Sequence, residues 1–191
     1  MEEKVLQIIK TSGALQEGHF ILTSGLHSEH YVEKFRFLQP KYLSKLIKMV
    51  KDNGLPEFDA ICGPTTGGAL LAYELSKQTK KPFYIAEKHE NGRIIKRGAF
   101  IEPGTKFILI DDVMTTGGSL RDTARAVDNE GGVIVKVEVI VKRAKEYNRM
   151  PYNVEWFIFD SLTGDKTHTL HYSALIDLPS YKEEDCPVCS L

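Results

Sequence analysis

One short stretch of the chain, residues 107–120, constrains the fold more than any other. It reads Phe-Ile-Leu-Ile-Asp-Asp-Val-Met-Thr-Thr-Gly-Gly-Ser-Leu. Four apolar residues predict a buried strand over Phe107–Ile110, two carboxylates stand at its carboxyl end, and a glycine-rich loop leads into a predicted helix from about Gly118 to Asn129. This order is typical of an open parallel sheet, in which ligands bind at the carboxyl ends of the strands.

Predicted strands and helices alternate along the rest of the chain. This rhythm predicts an α/β fold with a parallel sheet and right-handed crossovers. The helices are predicted to end at Gly13 and to span Pro40–Gly54 and Gly67–Gln78, and the strands to span Phe58–Cys62, Phe83–Ala86, Val133–Val141, Val154–Phe159 and Thr167–Ile176.

Charge and composition narrow the classes of partner. The 25 lysines and arginines nearly balance 26 acidic residues among 191, so no overall field favours nucleic acid or an anionic membrane, and a small-molecule partner is expected. The N-terminus is acidic, no stretch of 18 apolar residues occurs and there are only three cysteines. These features predict a cytoplasmic protein. A length of 191 residues predicts one compact domain.

The loop after the predicted central strand has the chemistry of a site for a phosphorylated sugar. Thr115–Ser119 offers hydroxyls, close backbone N–H groups and the positive end of the following helix, which together bind an anion. Asp111 and Asp112 can accept hydrogen bonds from two vicinal hydroxyls and hold hydrated magnesium through its waters. The alternative is that the aspartates cap the helix and the glycines only form a turn.

Residues 58–69 repeat this pattern, with a strand, a Gly-Pro-Thr-Thr-Gly-Gly turn and a helix. Alone, this is an ordinary strand-to-helix turn. Together, the two anion loops match a substrate that carries a phosphate at one end and a pyrophosphate at the other. Substitution at the anomeric carbon of such a sugar expels pyrophosphate, and magnesium and cationic side chains stabilise the charge that develops.

The two loops resemble those of the type I phosphoribosyltransferases, which use 5-phosphoribosyl-1-pyrophosphate (PRPP). The resemblance implies a parallel central sheet flanked by helices, with a small hood from the N-terminal segment to which the C-terminal strands could contribute. It also implies Mg²⁺ as cofactor and a homodimer. The implied PRPP-binding residues are Asp111, Asp112, Val113, Met114, Thr115, Thr116, Gly117, Gly118, Ser119, Gly63, Pro64, Thr65, Thr66 and Gly67.

In this interpretation residues 1–191 form a single phosphoribosyltransferase domain. Residues 1–35 supply the hood and the base site, residues 36–145 the α/β core, and residues 146–191 the C-terminal strands and tail. The interval 87–104 is predicted to be a hairpin or mobile flap, a kind of insertion that often covers a site. We expect no nucleic-acid or membrane partner.

The flap is the expected source of catalytic cations. Lys88 is the leading candidate, Lys96 and Arg97 are alternates, and His89 and Arg93 lie in the same stretch. Closure of such a flap would exclude water from the activated sugar. The alternative is a charged, solvated hairpin. The resemblance adds Asp112 to the catalytic set.

The base is predicted from residues 18–32, which resemble the signature of the orotate phosphoribosyltransferases through Phe20, Leu22, Ser24, Gly25, Ser28 and Tyr31. Thr23 and Val32 depart from that signature. Orotate carries a carboxylate, for which Arg143 after the strand Val133–Val141 is the expected partner, although Lys142 stands where an aspartate is usual. The predicted orotate-binding residues are Ser24, Gly25, Tyr31, Thr115 and Arg143.

Two other functions stay open. A purine phosphoribosyltransferase would keep both phosphate loops without needing Arg143, and a non-catalytic regulator could use the same fold to sense PRPP.

The tail contains Cys186-Pro187-Val188-Cys189, and His168 and His171 lie upstream. A structural zinc site needs four ligands, and a lone cysteine pair is weak support for one. A frayed, reduced tail is the expectation, with metal binding as the alternative.

Overall fold

The computed structural model describes residues 1–22, 25–95, 100–143, 154–161, 164–176 and 178–189, and for 154–161 and 164–167 only the backbone. The helices are α1 (Glu2–Thr11), α2 (Lys34–Phe37), α3 (Pro40–Asp52), α4 (Gly67–Thr79) and α5 (Gly118–Asn129). The strands are β1 (Leu15–Ile21), β2 (His27–Val32), β3 (Ala60–Pro64), β4 (Phe83–His89), β5 (Gly92–Ile95), β6 (Lys106–Met114), β7 (Val133–Arg143), β8 (Val154–Ser161) and β9 (Gly164–Ile176).

Seven of the strands form one sheet in the order β5-β4-β3-β6-β7-β9-β8. The five central strands are parallel, and each edge strand closes an antiparallel hairpin with its neighbour. The predicted α/β fold with a parallel central sheet is confirmed. Strands β1 and β2 form a separate antiparallel hairpin.

Helices cover the sheet on both faces, and its side chains point alternately to one face and the other. On β6, Ile108 and Ile110 pack in one core with the buried faces of α1, α3 and α4. Phe107 and Leu109 point the other way, into a second core with α5. Strand β6 is therefore the central strand that its apolar sequence predicts.

Helix α3 shows how the local sequence sets an element's ends. Pro40 occupies its first turn, where a missing backbone N–H costs nothing. Four buried side chains at helical spacing face the core: Leu43, Leu46, Ile47 and Val50. The helix ends at Asp52, and Gly54 follows with φ of +94°, which a glycine adopts without strain. The predicted limits of this helix are confirmed.

Several strands run further than the sequence predicts, and two of them, β3 and β6, lead into the predicted phosphate loops. Strand β3 begins two residues late but continues to Pro64, which pairs with Ala86 of β4. Strand β6 continues through both aspartates to Met114, because β7 pairs with it along that length. The carboxylates therefore project from inside a strand and not from the loop that follows it.

The C-terminal part differs from the expectation in two ways. Strands β8 and β9 extend the main sheet and do not form part of a hood. The tail after them is not frayed, because His27 of β2 and Tyr181 exchange two backbone hydrogen bonds of 2.8 Å. In the part of the chain that the structure describes, no helix is both long and apolar enough to cross a membrane.

Candidate active site

The two predicted phosphate loops follow neighbouring strands. Strands β3 and β6 are parallel and adjacent, with Cys62 opposite Leu109, so both loops leave the same edge of the sheet. From β3 the chain proceeds through α4 to β4 on one side, and it then crosses to β6 on the other side. The loops therefore flank a topological switch point, where open α/β sheets bind ligands.

The start of helix α4 packs directly against the acidic pair. A Cβ atom on Gly67 would overlap the Asp112 carboxylate. A Cβ on Gly68 would lie 2.8 Å from the Ile110 carbonyl oxygen and 3.0 Å from Asp111 Oδ1. Glycine is therefore required at both positions so that the helix can approach the strand this closely, a role that the sequence pattern did not predict for Gly68.

Asp111 and Asp112 are only 7% and 2% exposed. Asp111 Oδ1 accepts a hydrogen bond of 2.9 Å from the Asp112 N–H, and Asp112 Oδ1 accepts one of 2.6 Å from the Val113 N–H. Burial, and secondly the charge of Asp112, raises the pKa of Asp111 to about 8. Burial thus disfavours the charged form of Asp111, whereas a cation bound beside the pair would favour it.

The acids do not cap the following helix. Helix α5 begins at Gly118, and the residue at its N-cap position is Gly117, with φ of +79° and no side-chain cap. Asp111 and Asp112 lie within β6. The alternative that the pair exists to cap the helix is therefore wrong.

Lys34 is a site residue that sequence reasoning missed. Its Nζ lies 3.0 Å from Asp112 Oδ2, and its side chain is 37% exposed. That buried carboxylate oxygen accepts no hydrogen bond from the described residues, so the contact is an ion pair without hydrogen-bond geometry. Lys34 comes from α2, far from Asp112 in sequence, and no motif around it signals the contact.

The loop after β6 presents hydroxyls and a helix start to solvent. Thr115 and Thr116 are exposed, Val113 and Met114 are half-buried, and Gly117 is buried. Arg121 Nη1 donates a hydrogen bond of 2.6 Å to the Thr116 carbonyl oxygen, which fixes the loop to the first turn of α5. Ser119 lies in that same turn. The first turn of α5 has backbone N–H groups of the type that bind phosphate at helix starts.

The loop after β3 contacts the flap. Thr65 and Thr66 are exposed and are joined by a cis peptide bond. Arg93 Nη1, from β5, donates hydrogen bonds to Thr65 Oγ1 at 3.1 Å and to the Ala86 carbonyl oxygen at 2.7 Å. A guanidinium therefore lies beside the predicted pyrophosphate loop.

Lys88 is directly opposite Arg93 in the β4–β5 hairpin. Side chains of directly opposite residues project from the same face of an antiparallel pair, so exposed Lys88 projects from the face that carries Arg93. The predicted flap is thus a hairpin, at least as far as Ile95. The alternates Lys96 and Arg97 lie outside the described residues.

On the base side, Arg143 is the last residue of β7. Its Nη2 donates to Ser28 Oγ at 3.5 Å and to the Leu178 carbonyl oxygen at 3.3 Å. Burial lowers the pKa of Arg143. The structure therefore brings the predicted carboxylate partner to Ser28, a residue of the N-terminal motif that was not itself assigned to the base.

The other predicted base residues lie in or beside the β1–β2 hairpin. Tyr31 is 39% exposed and its ring stacks on Phe20, with ring centroids 5.5 Å apart. Gly25, with φ of +79°, forms the turn, and Ser24 lies outside the described residues. Lys142, the departure next to Arg143, is buried, with Nζ 5.5 Å from the centre of the Tyr172 ring.

Comparison with known proteins agrees with this geometry. Residues 42–167 match the phosphoribosyl transferase domain. An orotate phosphoribosyltransferase from Campylobacter hominis is 31% identical over 96% of this chain and 91% of its own.

Solved structures share the fold. The crystal structure of orotate phosphoribosyltransferase from Aeropyrum pernix has a TM-score of 0.69 at 22% identity, over 90% of this chain and 93% of its own. An adenine phosphoribosyltransferase from Thermoanaerobacter pseudethanolicus has a TM-score of 0.59 at 20% identity, over 72% and 88%. From the domain match, the relative and the two glycine loops around a buried acidic pair, we conclude that this chain belongs to the phosphoribosyltransferase family.

Proposed function

We propose that this chain is an orotate phosphoribosyltransferase, which transfers the 5-phosphoribosyl group of PRPP to orotate and releases orotidine 5′-monophosphate and pyrophosphate. The observation that carries the proposal is the buried acidic pair between two glycine loops, with Arg143 at the end of the next strand. The relative from Campylobacter hominis is named for the same reaction.

Thr115–Ser119 would hold the 5-phosphate of PRPP, and Gly63–Gly67 its pyrophosphate. Asp111 and Asp112 would accept hydrogen bonds from the ribose hydroxyls, and these bonds are strongest when the carboxyls are ionised. Because burial raises the pKa of Asp111, bound hydroxyls or a cation would have to favour its ionised form against the effect of burial. Lys34 would give up its place beside Asp112 as the hydroxyls enter.

Mg²⁺ fits this site, because Asp112 Oδ2 is buried and lacks a hydrogen-bond donor among the described residues, while a cation already lies beside it. Asp111 and Asp112 would hold the ion through its waters. When bound, Mg²⁺ supplies positive charge that stabilises the departing pyrophosphate.

In the transfer, the bond from the anomeric carbon to the pyrophosphate oxygen breaks and a bond to a ring nitrogen of orotate forms. The proton of that nitrogen passes to solvent. Negative charge grows on the leaving group beside Thr65, where Arg93 already donates and Lys88 projects from the same hairpin face. Both cations would stabilise that charge. Closure of the flap would keep water from hydrolysing the sugar.

Arg143 would bind the carboxylate of orotate, and Tyr31 would lie against its flat ring. Because Ser28 and the Leu178 carbonyl oxygen hold the guanidinium, the arginine would need little ordering when the base binds. A purine phosphoribosyltransferase would have no use for a cation at this position.

We also propose that two copies associate and act in the cytoplasm. Tyr73 on α4 is 53% exposed and Phe83 on β4 is 37% exposed, and their rings contact edge to face at 5.6 Å. Such an exposed aromatic pair is suited to a partner surface. Light scattering would give the mass of a dimer, and a monomer at micromolar concentration would refute this.

The test of the activity is pyrophosphate release by the full chain with magnesium and PRPP, with orotate, uracil, adenine, hypoxanthine or guanine added in turn. We expect turnover with orotate. Turnover with a purine instead would leave the donor site in place and refute the assigned base. The lack of turnover with any base would favour a PRPP-sensing regulator.

A further inference from the structure

Four side chains that the proposed reaction does not use converge at the tip of the β1–β2 hairpin. His19 comes from β1, His27 from β2, and Cys186 and Cys189 from the tail. Their potential ligand atoms all lie within 4.8 Å of one another. Two segments more than 150 residues apart in sequence thus bring two imidazoles and two thiols to one point.

The distances within this group are close to those of a tetrahedral metal site. His19 Nε2 lies 3.0 Å from His27 Nδ1 and 3.4 Å from Cys189 Sγ, and His27 Nδ1 lies 3.1 Å from Cys189 Sγ. Cys186 Sγ lies 3.6 Å from His19 Nε2. A tetrahedral zinc ion places two nitrogen ligands about 3.3 Å apart and nitrogen and sulfur ligands about 3.5 Å apart.

Hydrogen bonding alone accounts poorly for this convergence. A neutral imidazole nitrogen carries either one proton or one lone pair, yet His19 Nε2 has three potential partners within 3.6 Å. At most one or two of these contacts can be hydrogen bonds at a time. One cation at the centre would use a lone pair from every member of the group.

The surrounding backbone builds the site in advance. The two cysteines have the C-x₂-C spacing of a zinc knuckle, Cys186 is fully buried and His27 is 5% exposed. The paired backbone hydrogen bonds between His27 and Tyr181 fix the tail to the hairpin. The four side chains are therefore held together by structure that does not depend on their own contacts.

We propose that His19, His27, Cys186 and Cys189 bind one zinc ion in a closed, structural site. Binding would release the two thiol protons to solvent, so that two thiolates and two neutral imidazoles give an uncharged complex with Zn²⁺. Sulfur and imidazole ligands select zinc over magnesium. With four protein ligands, the ion has no open position for substrate or water.

Bound zinc would link the tail to the β1–β2 hairpin and would thereby also affect the proposed base site. Ser28 follows His27 directly, and its hydroxyl donates to the Pro179 carbonyl oxygen at 2.8 Å. Arg143 bonds to Ser28 on one side and to Leu178 of the tail on the other. Zinc would thereby hold in place the two hydrogen-bond acceptors of the Arg143 guanidinium, which are the Ser28 hydroxyl and the Leu178 carbonyl oxygen.

The test is the metal content of the full chain, purified under reducing conditions, stripped with a chelator and reloaded with Zn²⁺. We expect stoichiometric zinc. Cys189→Ser and His19→Asn should lose it, and because both residues are exposed, neither change should disturb the core. Cys62→Ala and His30→Gln remove a thiol and an imidazole outside the group and should keep the zinc.

Two further readouts do not depend on activity. Co²⁺ in place of zinc should give the intense visible absorption of a tetrahedral ion and thiolate-to-cobalt charge transfer, both lost in Cys189→Ser. Zinc should raise the Tm of the stripped chain but not that of Cys189→Ser. Substoichiometric zinc after reloading, an octahedral cobalt spectrum, or a Cys186–Cys189 disulfide in freshly purified chain would overturn the proposal.

Discussion

The Lys34 ammonium lies 3.0 Å from Asp112 Oδ2 and forms an ion pair between helix α2 and the central strand β6. The carboxylate is 2% exposed and the lysine 37%. Such a pair compensates a buried charge, and in the proposed function it places a cation where a donor hydroxyl or a hydrated metal would bind.

The Lys34 pair makes a prediction about stability. Lys34→Met leaves the Asp112 carboxylate buried without its cation, so the free energy of unfolding should fall by about 1–2 kcal/mol, less than for a fully buried pair because solvent screens the lysine. Urea denaturation at pH 7 measures it. Lys48→Met is the control, since its pair with Asp52 is 67% and 57% exposed and should change stability by less than about 0.5 kcal/mol. Equal effects of the two changes would show that the Lys34 pair is an ordinary surface contact.

The close approach of α4 to the acidic pair predicts that Gly67 tolerates no side chain. Gly67→Ala should destabilise the protein by about 1–3 kcal/mol, because the methyl group displaces the helix or the Asp112 carboxylate, and transfer should fall with it. Gly118→Ala tests the argument, since a Cβ there meets only Thr116 Oγ1, at 3.9 Å. Its unfolding free energy should hold or rise slightly. The account of this helix fails if Gly67→Ala unfolds at the same urea concentration as the wild type.

The raised pKa values of the buried carboxyls Asp111 and Glu138 predict how the stability of the protein depends on pH. Burial raises the pKa of Asp111 to about 8 and that of Glu138 to about 7, both above their unfolded values. At a pH between the unfolded and the folded pKa of a group, the folded chain binds more protons than the unfolded chain. The free energy of unfolding therefore falls as pH rises, by up to about 1.4 kcal/mol per pH unit for each group. The loss begins above the unfolded pKa and is complete above the folded one.

Asp111→Asn should therefore flatten the fall in unfolding free energy between pH 5.5 and pH 8, measured by urea denaturation across that range. The exposed acid Glu57 supplies the control, and Glu57→Gln should leave the slope unchanged. An Asp111→Asn slope as steep as that of the wild type would show that Asp111 is already ionised in the folded chain.

The position of Arg143 predicts that its removal weakens the binding of orotate but not that of PRPP. Arg143→Ala removes a charged hydrogen bond worth about 1.5–3 kcal/mol, so the KM for orotate should rise by about 10- to 150-fold with the KM for PRPP nearly unchanged. Ser28→Ala should have a smaller effect in the same direction, because it only removes a support of the guanidinium. Steady-state kinetics with each substrate varied in turn would measure both. An unaltered KM for orotate would remove Arg143 from the base site.

The parts of this protein that the sequence predicted are those set by neighbouring residues. The limits of α3 follow from Pro40 and Gly54, and the two loops follow from glycines and hydroxyls next to apolar runs. The length of β6 was underestimated because its pairing with β7, and not its apolarity, carries it through Asp111 and Asp112 to Met114.

What the sequence did not predict depends on contacts between distant segments. The contact between Lys34 and Asp112 joins α2 to β6, which lie far apart in the sequence. His19 and His27 meet the tail cysteines because Tyr181 pairs with His27, whereas the sequence suggested His168 and His171 as partners. No local pattern marks such contacts.

The most direct test of the account is a competition. The wild-type chain would receive PRPP, magnesium and equal concentrations of orotate, uracil, adenine, hypoxanthine and guanine, and the nucleotides formed would be identified by mass spectrometry. We predict orotidine 5′-monophosphate as the dominant product, and none from a chain carrying Asp111→Asn and Asp112→Asn. A purine nucleotide as the main product, or undiminished transfer by the double variant, would contradict the account.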